Sequence, residues 1–396
     1  MCYPYIFVGS INMIKPKVLF TFGTRPEAIK MAPVVQAFLA DPAFTTKIVL
    51  TAQHREMLDQ VMSIFNLTGD YDFNIMIQKQ SLAFITTSVL TKFSEVLEEE
   101  KPDLVFVHGD TTTTYSCSLA SFYQNIPVAH VEAGLRSGDL RNPFPEEMNR
   151  KLADALCSLH FCPTLHARNN LLKENIKSSG MFITGNTVID SLFQVIEYLK
   201  KNNPQPKTVS SLKRILVTLH RRESWGEPIE NVARAIRDVV NENPDVSVIF
   251  PIHKNPIVRE SVGPILGGMD RVDIVEPMDY LTFVTEMQDA YIIISDSGGI
   301  QEEAPSLGKP VLLTRAVTER PEGIESGVVK MIGTDFEKVK SEITKLVQNE
   351  TYYKSMMKIR NPFGDGKASI RILAHTKKYF SLPNPEHLKE FGEYVA

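Results

Sequence analysis

Cysteine and tryptophan are rare in this chain, whose 396 residues include four cysteines and one tryptophan. So few cysteines argue against a secreted disulfide scaffold and favour a reducing cytoplasm. No apolar stretch approaches the about 20 residues that a membrane span requires, so we expect no membrane partner. Neither sign of charge dominates, because 43 basic and 47 acidic side chains leave a net charge of −4. This balance argues against a nucleic-acid partner held by a general basic field.

Two short segments of the chain resemble a signal peptide and a metal site, but we favour a different interpretation of each. Residues 1–14 are uncharged and fairly apolar, but they lack the basic start and the small-residue cleavage site of a signal peptide. We interpret them as a non-catalytic extension. Cys157, His160 and Cys162 allow a metal site, yet the apolar run over 159–162 favours a buried strand in which cysteine packs as a small apolar residue. We therefore predict no metal.

The length of the chain favours two domains, because a single core rarely grows this large. Apolar runs alternate with helical patterns from end to end, which is typical of parallel sheets covered by helices. The predicted strands cover 18–22, 47–51, 104–108, 128–131, 159–162 and 182–184, then 215–219, 246–252, 272–275, 291–295 and 311–313. The predicted helices include 25–40, 55–65, 111–123, 145–156, 229–241, 281–288 and 368–380.

This pattern predicts an α/β protein with two Rossmann-like domains, each binding ligands at the carboxyl ends of its strands. We place an extension at 1–14, the first domain at 15–185, the second at 186–367, and a final helix with a tail at 368–396. The hinge is expected directly after Gly185. The final helix is expected to pack back on the first domain.

The first predicted strand-to-helix turn carries a glycine and two basic side chains. Gly23 permits a tight turn, and the following helix start favours an anion. Arg25 and Lys30 are placed to bind a diphosphate. The alternative is an ordinary helix start, because Thr24 and Glu27 have the spacing of a capping box. The motif alone leaves both interpretations open.

Three carboxylates follow consecutive units of the first half. Asp110 and Glu132 each come after a predicted strand, and Glu146 begins a predicted helix. Asp110 has an alternative role as a helix N-cap, and Glu146 also suits the helix dipole. Together they form a candidate acid and base set, because clustered carboxylates push one another's pKa values apart.

The second half offers groups suited to a nucleotide. His220 and Arg221 follow one predicted strand, and a solvated charge run is the alternative for them. Ser297, Gly298 and Gly299 follow another strand and open a helix whose backbone N–H groups can bind phosphate. Glu303 lies about one turn further, where a carboxylate can accept hydrogen bonds from ribose hydroxyls. The two halves together indicate a cleft enzyme acting on a sugar nucleotide.

The chain resembles the non-hydrolysing UDP-N-acetylglucosamine 2-epimerase family from about residue 16 to residue 380. The resemblance is carried in order by Phe-Gly-Thr-Arg-Pro-Glu at 22–27, Thr-Ala-Gln-His-Arg-Glu at 51–56, His-Gly-Asp-Thr-Thr-Thr at 108–113, Val-Glu-Ala-Gly-Leu-Arg at 131–136, Phe-Pro-Glu-Glu-Met-Asn-Arg at 144–150, His-Arg-Arg-Glu at 220–223, Ser-Asp-Ser-Gly-Gly-Ile-Gln-Glu-Glu at 295–303, Thr-Glu-Arg-Pro-Glu at 318–322 and Asn-Pro-Phe-Gly-Asp-Gly-Lys at 361–367.

This resemblance implies a GT-B fold, two Rossmann-like domains around a central cleft. It implies reversible conversion of UDP-N-acetylglucosamine to UDP-N-acetylmannosamine, through elimination of UDP to 2-acetamidoglucal and re-addition. The product would supply precursors of surface polysaccharide. No cofactor or metal is implied, the partners are the sugar nucleotide and UDP, and a homodimer is expected.

The resemblance also assigns roles to individual residues. It implies acid or base roles for Asp110, Glu132 and Glu146, and assistance at the glycosidic oxygen or the diphosphate for His220. It implies nucleotide binding by Arg25, Lys30, Phe283, Ser297, Gly298, Gly299, Glu303 and Arg320. It implies a second, activating UDP-N-acetylglucosamine site formed by Gln53, His54, Arg221 and His253.

Three alternatives stay open from the sequence. A hydrolysing epimerase would share the fold and the carboxylates, although Thr111 favours the non-hydrolysing branch. A GT-B glycosyltransferase would need an acceptor site that no motif specifies. A sugar-nucleotide-binding regulator would need only the nucleotide site, so the presence of all the acid and base candidates argues against it.

Overall fold

The structure is a computed structural model that describes residues 15–52, 55–76, 80–202, 212–221, 224–357, 360–385, 388 and 392–394, without the side chains of 55–57. The predicted extension over 1–14 lies outside the described residues, as do Gln53 and His54 of the predicted activating site. Across this described part of the chain, no helix is both long and apolar enough to cross a membrane.

Two parallel sheets organise the described chain. The first has the strand order β3-β2-β1-β4-β5-β6-β7 and the second the order β10-β9-β8-β11-β12-β13. Every strand pair in both sheets is parallel. The strands are β1 Lys17–Phe22, β2 Thr45–Leu50, β3 Tyr71–Asp72, β4 Leu104–His108, β5 Val128–Val131, β6 Leu159–Cys162, β7 Met181–Ile183, β8 Lys213–Thr218, β9 Val246–Pro251, β10 Val272–Val275, β11 Ile292–Ser295, β12 Val311–Leu313 and β13 Val329–Met331.

Helices connect the strands and cover the sheets, so the prediction of two Rossmann-like domains is confirmed. Each helix and strand named in the sequence prediction is present with its ends shifted by two residues or fewer. The helices are α1 Arg25–Ala40, α2 Arg55–Ile64, α3 Leu82–Glu100, α4 Thr112–Tyr123, α5 Glu146–Leu156, α6 Leu165–Lys173, α7 Thr187–Asn202, α8 Glu227–Glu242, α9 Pro256–Leu266, α10 Tyr280–Asp289, α11 Gly298–Glu303, α12 Pro321–Glu325, α13 Phe336–Gln348, α14 Glu350–Met357 and α15 Ala368–Tyr379.

The longest of these helices, α3, was not predicted. Its sequence mixes β-branched and aromatic residues with leucines, so its periodicity does not separate a helix from a strand. Its start is fixed locally, because the Ser81 side chain accepts a hydrogen bond from Phe84 N at 3.1 Å. Packing against α4 then supplies the tertiary stabilisation that propensity alone does not provide.

Buried aromatic rings fix the register at the centre of the first sheet. Phe20 of β1 and Phe106 of β4 are opposite each other, and their rings stack with centroids 4.4 Å apart. Phe161 of β6 continues the row, with its ring centroid 6.3 Å from that of Phe106. Both faces of these strands are buried, as expected for parallel sheets covered by helices.

The strand order of each sheet reverses once, and that reversal positions the candidate site. The reversal lies between β1 and β4 in the first sheet and between β8 and β11 in the second. Loops leaving the carboxyl ends of such strand pairs open a crevice that binds ligands in doubly wound folds. Gly23 and Asp110 follow β1 and β4, while His220 and Ser297 follow β8 and β11.

Helix α7 joins the two sheets, and helix α15 packs on α1 and on α7. The first, α7, contacts α1 and α15 and also contacts α10 and α11 of the second sheet. Asp190 of α7 accepts hydrogen bonds from Ala368 N at 3.1 Å and from Ser369 N at 2.8 Å, at the start of α15. Toward the other end of α15, Lys377 pairs with Asp41 at 2.6 Å. The domain boundaries at 185 and 367 stay a prediction, since α7 packs on both sides.

Candidate active site

Glu27 organises the turn between β1 and α1. Its buried carboxylate accepts hydrogen bonds from Gly23 N at 3.0 Å and from Thr24 N at 2.8 Å, which confirms the predicted cap. It also accepts one from Thr111 Oγ1 at 2.6 Å. Burial raises the pKa of Glu27, and these donors oppose that rise. The helix-start interpretation is therefore correct for this glutamate, which also joins the loops after β1 and β4.

The Asp110 side chain is not used to cap helix α4, because the neighbouring residue Thr111 does so. Thr111 is the N-cap of α4, since its side chain accepts a hydrogen bond from Thr114 N at 3.2 Å. The alternative role of Asp110 as that cap is therefore wrong. The Asp110 carboxylate instead pairs with the buried guanidinium of Arg150 on α5. Asn149 Nδ2 donates to the Asp110 carbonyl at 2.9 Å and fixes the loop.

Glu146 is the first residue of α5 and lies near this pair. Burial raises the pKa of Glu146, the Asp110 carboxylate raises it further, and Arg150 and Arg221 oppose the rise. Arg221 belongs to the second sheet, so Glu146 faces the cleft between the domains. The next residue, Glu147, has a structural task, because it accepts hydrogen bonds from two backbone N–H groups of the 137–138 loop at 3.0 and 3.1 Å.

Glu132 is held in a strained and strongly charged position. Its φ of +67° lies in the left-handed region that non-glycine residues seldom adopt. Its carboxylate pairs with Lys30 and accepts a hydrogen bond from Asn186 Nδ2 at 2.7 Å. Burial favours the neutral acid, but Lys30, His108 and Arg320 outweigh burial and hold the pKa of Glu132 well below its usual range.

His108, the last residue of β4, lies beside Glu132. Its Nε2 is 3.9 Å from Glu132 Oε2, and both ring nitrogens are buried with no hydrogen-bond partner among the described residues. Burial lowers the pKa of His108 to about 4. The imidazole is therefore neutral and faces the carboxylate.

His220 and Asp296 form a carboxylate–imidazole pair at the reversal point of the second sheet. His220 Nδ1 is 3.1 Å from Asp296 Oδ1, and the Asp296 side chain is fully buried whereas His220 is half-exposed. Asp296 also accepts hydrogen bonds from His220 N at 3.0 Å and Arg221 N at 2.9 Å. Burial raises the pKa of Asp296, but these donors outweigh it and lower the pKa overall. The pair directs Nε2 of His220 away from Asp296.

The turn Ser297–Gly298–Gly299 opens α11, as predicted. A methyl group built on Gly298 would lie 2.6 Å from Arg320 Nη1, so a larger residue would force the buried guanidinium to move. The buried Arg320 donates from Nε to Glu302 Oε1 at 2.5 Å and pairs with Glu319. Burial lowers the pKa of Arg320, but Glu302 and Glu319 outweigh burial and raise it above the usual value.

Glu303 lies one turn further along α11, where Tyr280 covers it. Tyr280 Oη donates to Glu303 Oε1 at 2.7 Å. Burial raises the pKa of Glu303 to about 7. Arg25 of the first domain is half-buried near this group, and burial lowers its pKa while Tyr280, Asp279 and Glu303 oppose that change. Arg25 of the first domain and Glu303 of the second therefore act on each other electrostatically.

Lys30 connects the two halves of the site. Its Nζ pairs with Glu132 from the first sheet and lies 3.0 Å from Glu302 Oε2 on α11 of the second. The side chains of Lys30, Glu132 and Glu302 are 10%, 7% and 1% exposed. Together with Arg320 they form a buried row of alternating charges that crosses from one sheet to the other.

The other predicted site residues lie around this centre. Arg221 approaches Glu319, with Nη2 at 3.8 Å from Oε1. His253 is exposed after β9, and its partial desolvation together with the charge of His220 lowers its pKa. Phe283 is half-buried on α10, where it packs against the core cluster that spans both sheets.

The cysteine segment follows the packing prediction. Residues 159–162 form the buried strand β6, and His160 Nε2 is 2.9 Å from the Asp154 carbonyl. Burial raises the pKa values of Cys157 and Cys162 well above the usual value. Within the described residues, no group of three or more histidine, cysteine or acidic side chains is arranged to hold a metal.

Several residues of the site were not singled out from the sequence. They are Glu27 as a link between loops, and His108, Arg150, Asn186, Tyr280, Asp296, Glu302 and Glu319. Six of these, among them Arg150 and Glu302, stand inside the motifs quoted above, beside residues that were chosen. The motif indicated the right segment, but only side-chain contacts distinguish the members that bind other residues from those that face the cleft.

Paired Rossmann-like domains, with acids at one strand edge and a glycine turn with an arginine at the other, define a GT-B protein. A family model described as UDP-N-acetylglucosamine 2-epimerase matches residues 36–377. The chain belongs to this family.

Individual relatives agree with that membership. The UDP-N-acetylglucosamine 2-epimerase of Escherichia coli K12 is 50% identical over 369 residues, covering 91% of this chain and 98% of that protein. The crystal structure of the Neisseria meningitidis UDP-GlcNAc 2-epimerase bound to UDP-GlcNAc matches with a TM-score of 0.86 and 48% identity, covering 91% of this chain and 100% of that chain. The Staphylococcus aureus MnaA–UDP structure matches with a TM-score of 0.87 and 45% identity, covering 96% and 100%.

Proposed function

We propose that this protein interconverts UDP-N-acetylglucosamine and UDP-N-acetylmannosamine without hydrolysing them. The carrying observation is the buried row of charges from Glu132 through Lys30 and Glu302 to Arg320, which joins carboxylates of the first sheet to the anion-binding turn of the second. Relatives whose sequences are 48–50% identical to this chain are named UDP-N-acetylglucosamine 2-epimerase, and one of them was crystallised with UDP-GlcNAc.

The proposed reaction has two balanced halves. A carboxylate removes the proton from C2 while the C1–O bond to UDP breaks, and the C2–H electrons form the C1=C2 bond of 2-acetamidoglucal. A proton is then delivered to the opposite face of C2, and the diphosphate oxygen of UDP adds to C1. The C2 proton is weakly acidic, so the site must stabilise the departing diphosphate and position a proton carrier on each face.

The carboxylates suit these tasks because their environments differ. Lys30 and its neighbours keep Glu132 ionised, whereas burial and Asp110 favour the protonated form of Glu146. Pairs of acids whose pKa values are pushed apart commonly divide acid and base roles. We propose that Glu132 remains an anion during turnover and that Asp110 and Glu146 carry the proton.

UDP is proposed to bind mainly on the second domain, with Arg25 and Lys30 of the first domain reaching its diphosphate. Arg25, Lys30 and Arg320 supply positive charge for the diphosphate, and the α11 turn at 297–299 supplies backbone N–H groups. Glu303 is proposed to bind the ribose and Phe283 to lie against uracil. His220, oriented by Asp296 at 3.1 Å, is proposed to donate toward the glycosidic oxygen.

Proton NMR of UDP-N-acetylglucosamine incubated with the protein in D₂O tests the proposal. We expect both UDP-sugars, deuterium at C2, and no free N-acetylmannosamine. Free N-acetylmannosamine with UDP would instead identify the hydrolysing reaction. An unchanged spectrum, at substrate concentrations that saturate binding, would contradict the epimerase proposal.

Closure of the cleft is proposed to accompany UDP binding. The domains 15–185 and 186–367 would move about the two crossings, which are the places near Gly185 and near Phe363 where the chain passes between them. Gly185 has φ +84°, and Asn186 N donates to the Phe363 carbonyl at 2.7 Å, so the two crossings lie side by side. Movement about a few such positions is typical of two-domain enzymes. X-ray scattering should give a smaller radius of gyration with UDP, and an unchanged radius would contradict closure.

The family resemblance supports two further proposals. Arg221 and His253, with Gln53 and His54, would bind a second UDP-N-acetylglucosamine that activates the enzyme. Initial rates should then rise with substrate more steeply than a hyperbola, and Arg221→Ala should make the curve hyperbolic. The chain is also proposed to form a homodimer, which light scattering should report as twice the mass of one chain.

A further inference from the structure

Glu302 is a buried carboxylate that the proposed chemistry does not use, although it contacts both domains. Its side chain is 1% exposed. One oxygen lies 3.0 Å from Lys30 Nζ of the first domain, and the other accepts from Arg320 Nε of the second at 2.5 Å. Its backbone carbonyl accepts a hydrogen bond from Asn361 Nδ2 at 2.8 Å, which fixes α11 beneath it.

The buried cations around Glu302 need its negative charge. Two buried cations, Lys30 and Arg320, both act on Glu132, and buried cations are costly without partners. Burial lowers the pKa of Lys30, but Glu132 and Glu302 outweigh burial and raise it. Lys30 is therefore held between two anions, one from each domain. Since Glu302 comes from the second domain, its contact with Lys30 forms only when the domains meet.

We propose that Glu302 is a positioning residue that couples domain closure to the placement of Lys30 against Glu132. This inference rests on the proposed function, because it assigns Glu132 to the reacting side of the cleft. When the cleft opens, Lys30 loses one of its two anions and its fixed position. When it closes, Glu302 returns Lys30 to Glu132, while its bond to Arg320 lies within the second domain and is kept in both states. Glu302 thus acts through other residues and does not need to touch the sugar.

Glu302 also influences its neighbour Glu303. Burial raises the pKa of Glu303 to about 7; the bond from Tyr280 opposes this, Glu302 adds to it, and Lys30 and Arg25 oppose it. These groups face Glu303 from α10, α11 and α1. Removal of the Glu302 charge should therefore let Glu303 ionise at lower pH, a response that loss of packing alone would not produce.

The variant Glu302→Gln separates the cross-domain contact from the local one. The amide oxygen can still accept from Arg320, but the amide N–H₂ then faces Lys30, which has no acceptor. The control is Glu337→Gln, which removes an exposed glutamate from α13 of the same domain. With UDP at saturation, we expect Glu302→Gln to keep a larger radius of gyration than the control and the wild type.

Kinetics and binding complete the test. Misplaced catalytic groups can cost about 10²-fold in rate, so kcat for epimerisation should fall by about that factor, with a smaller change in KM. The pH at which UDP affinity is half-maximal should move to lower pH. If Glu302→Gln matches Glu337→Gln in radius, kcat and pH midpoint, the proposal is overturned.

Two further measurements keep the outcome decisive. If Glu302→Gln does not fold, Lys30→Gln removes the same contact from the first domain, and normal closure of that variant at saturating UDP would overturn the proposal. The NMR assay on the wild type decides the proposed function separately. An inactive wild type whose Glu302→Gln variant still fails to close would reject the epimerase proposal and retain the role of Glu302 in closure.

Discussion

Thr111 Oγ1 donates a hydrogen bond to Glu27 Oε1 at 2.6 Å, which ties the loop after β4 to the loop after β1. The same glutamate accepts from the backbone of Gly23 and Thr24. The two loops at the reversal point of the first sheet are therefore one hydrogen-bonded unit. Because Asp110 directly precedes Thr111, the position of a proposed proton carrier depends on a helix-capping residue.

Glu27→Ala should reduce both stability and turnover. The substitution leaves buried N–H groups of Gly23 and Thr24 without their acceptor, and each such group costs about 1–3 kcal/mol. The freed Thr111 should also loosen the Asp110 loop and lower kcat. Urea unfolding and the epimerase assay check both effects. The control, Asp335→Ala, removes the α13 cap that accepts from Lys338 N at 2.9 Å and should cost about 1 kcal/mol with kcat unchanged. Equal kcat in the two variants would refute the link.

Asp110→Asn should lower turnover strongly and keep UDP binding. The amide cannot accept a proton from C2 or deliver one to it, and general acid–base groups contribute about 10²–10⁴ in rate. Asp110 is not among the groups proposed to contact the uridine or the diphosphate, so UDP affinity measured by calorimetry should change little. Asp270→Asn, on the surface of the second domain, serves as the control. Full epimerase activity of Asp110→Asn would contradict its role as a proton carrier.

UDP affinity should rise with pH through about 7. Burial raises the pKa of Glu303 to that value, so the carboxylate that is proposed to accept from the ribose is protonated below it. Calorimetric titrations between pH 5.5 and 8.5 should show the rise in the wild type and in Glu337→Gln. Glu303→Gln should bind UDP more weakly at pH 8 with a flatter profile. A wild-type profile that is flat across this range would refute the role of Glu303.

Because Asp190 is buried, the free energy of unfolding of the protein should fall as pH rises from about 4 to about 6. Burial raises its folded pKa from 3.8 to about 6, so the native state holds a proton that the unfolded state releases between these values. The stabilisation is complete below pH 3.8 and lost as pH passes 6. At about 1.4 kcal/mol per pKa unit, the total is about 3 kcal/mol.

The variant Asp190→Asn isolates this effect, because it keeps the shape but cannot ionise. The wild type should lose stability relative to Asp190→Asn between pH 4 and pH 7, measured by urea unfolding at each pH. Asp270→Asn corrects for the removal of an exposed carboxylate. Parallel pH curves for the wild type and Asp190→Asn would contradict the prediction.

The amino-acid sequence predicted the elements and the edge of the sheet at which the chemistry lies. Apolar runs marked the strands because both faces of a parallel sheet are buried, and β4 was predicted with its observed bounds. In a βα unit the residue after the strand lies at the carboxyl edge, so Asp110 and Glu132 were assigned to one edge from order alone. Helix α3 was missed because its composition suits both states.

Only the tertiary structure decided how the charged groups are partnered. Lys30 was expected at a diphosphate, yet it also pairs with Glu132 and with Glu302 of the other domain. Local patterns follow from backbone geometry and residue periodicity over a few neighbours, so the sequence determines them. Partners far apart in the chain, and the pKa changes that burial imposes on them, depend on how two complete sheets meet. The sequence therefore determined the fold and the candidate groups, and the packing of the domains determined which of those groups act on one another.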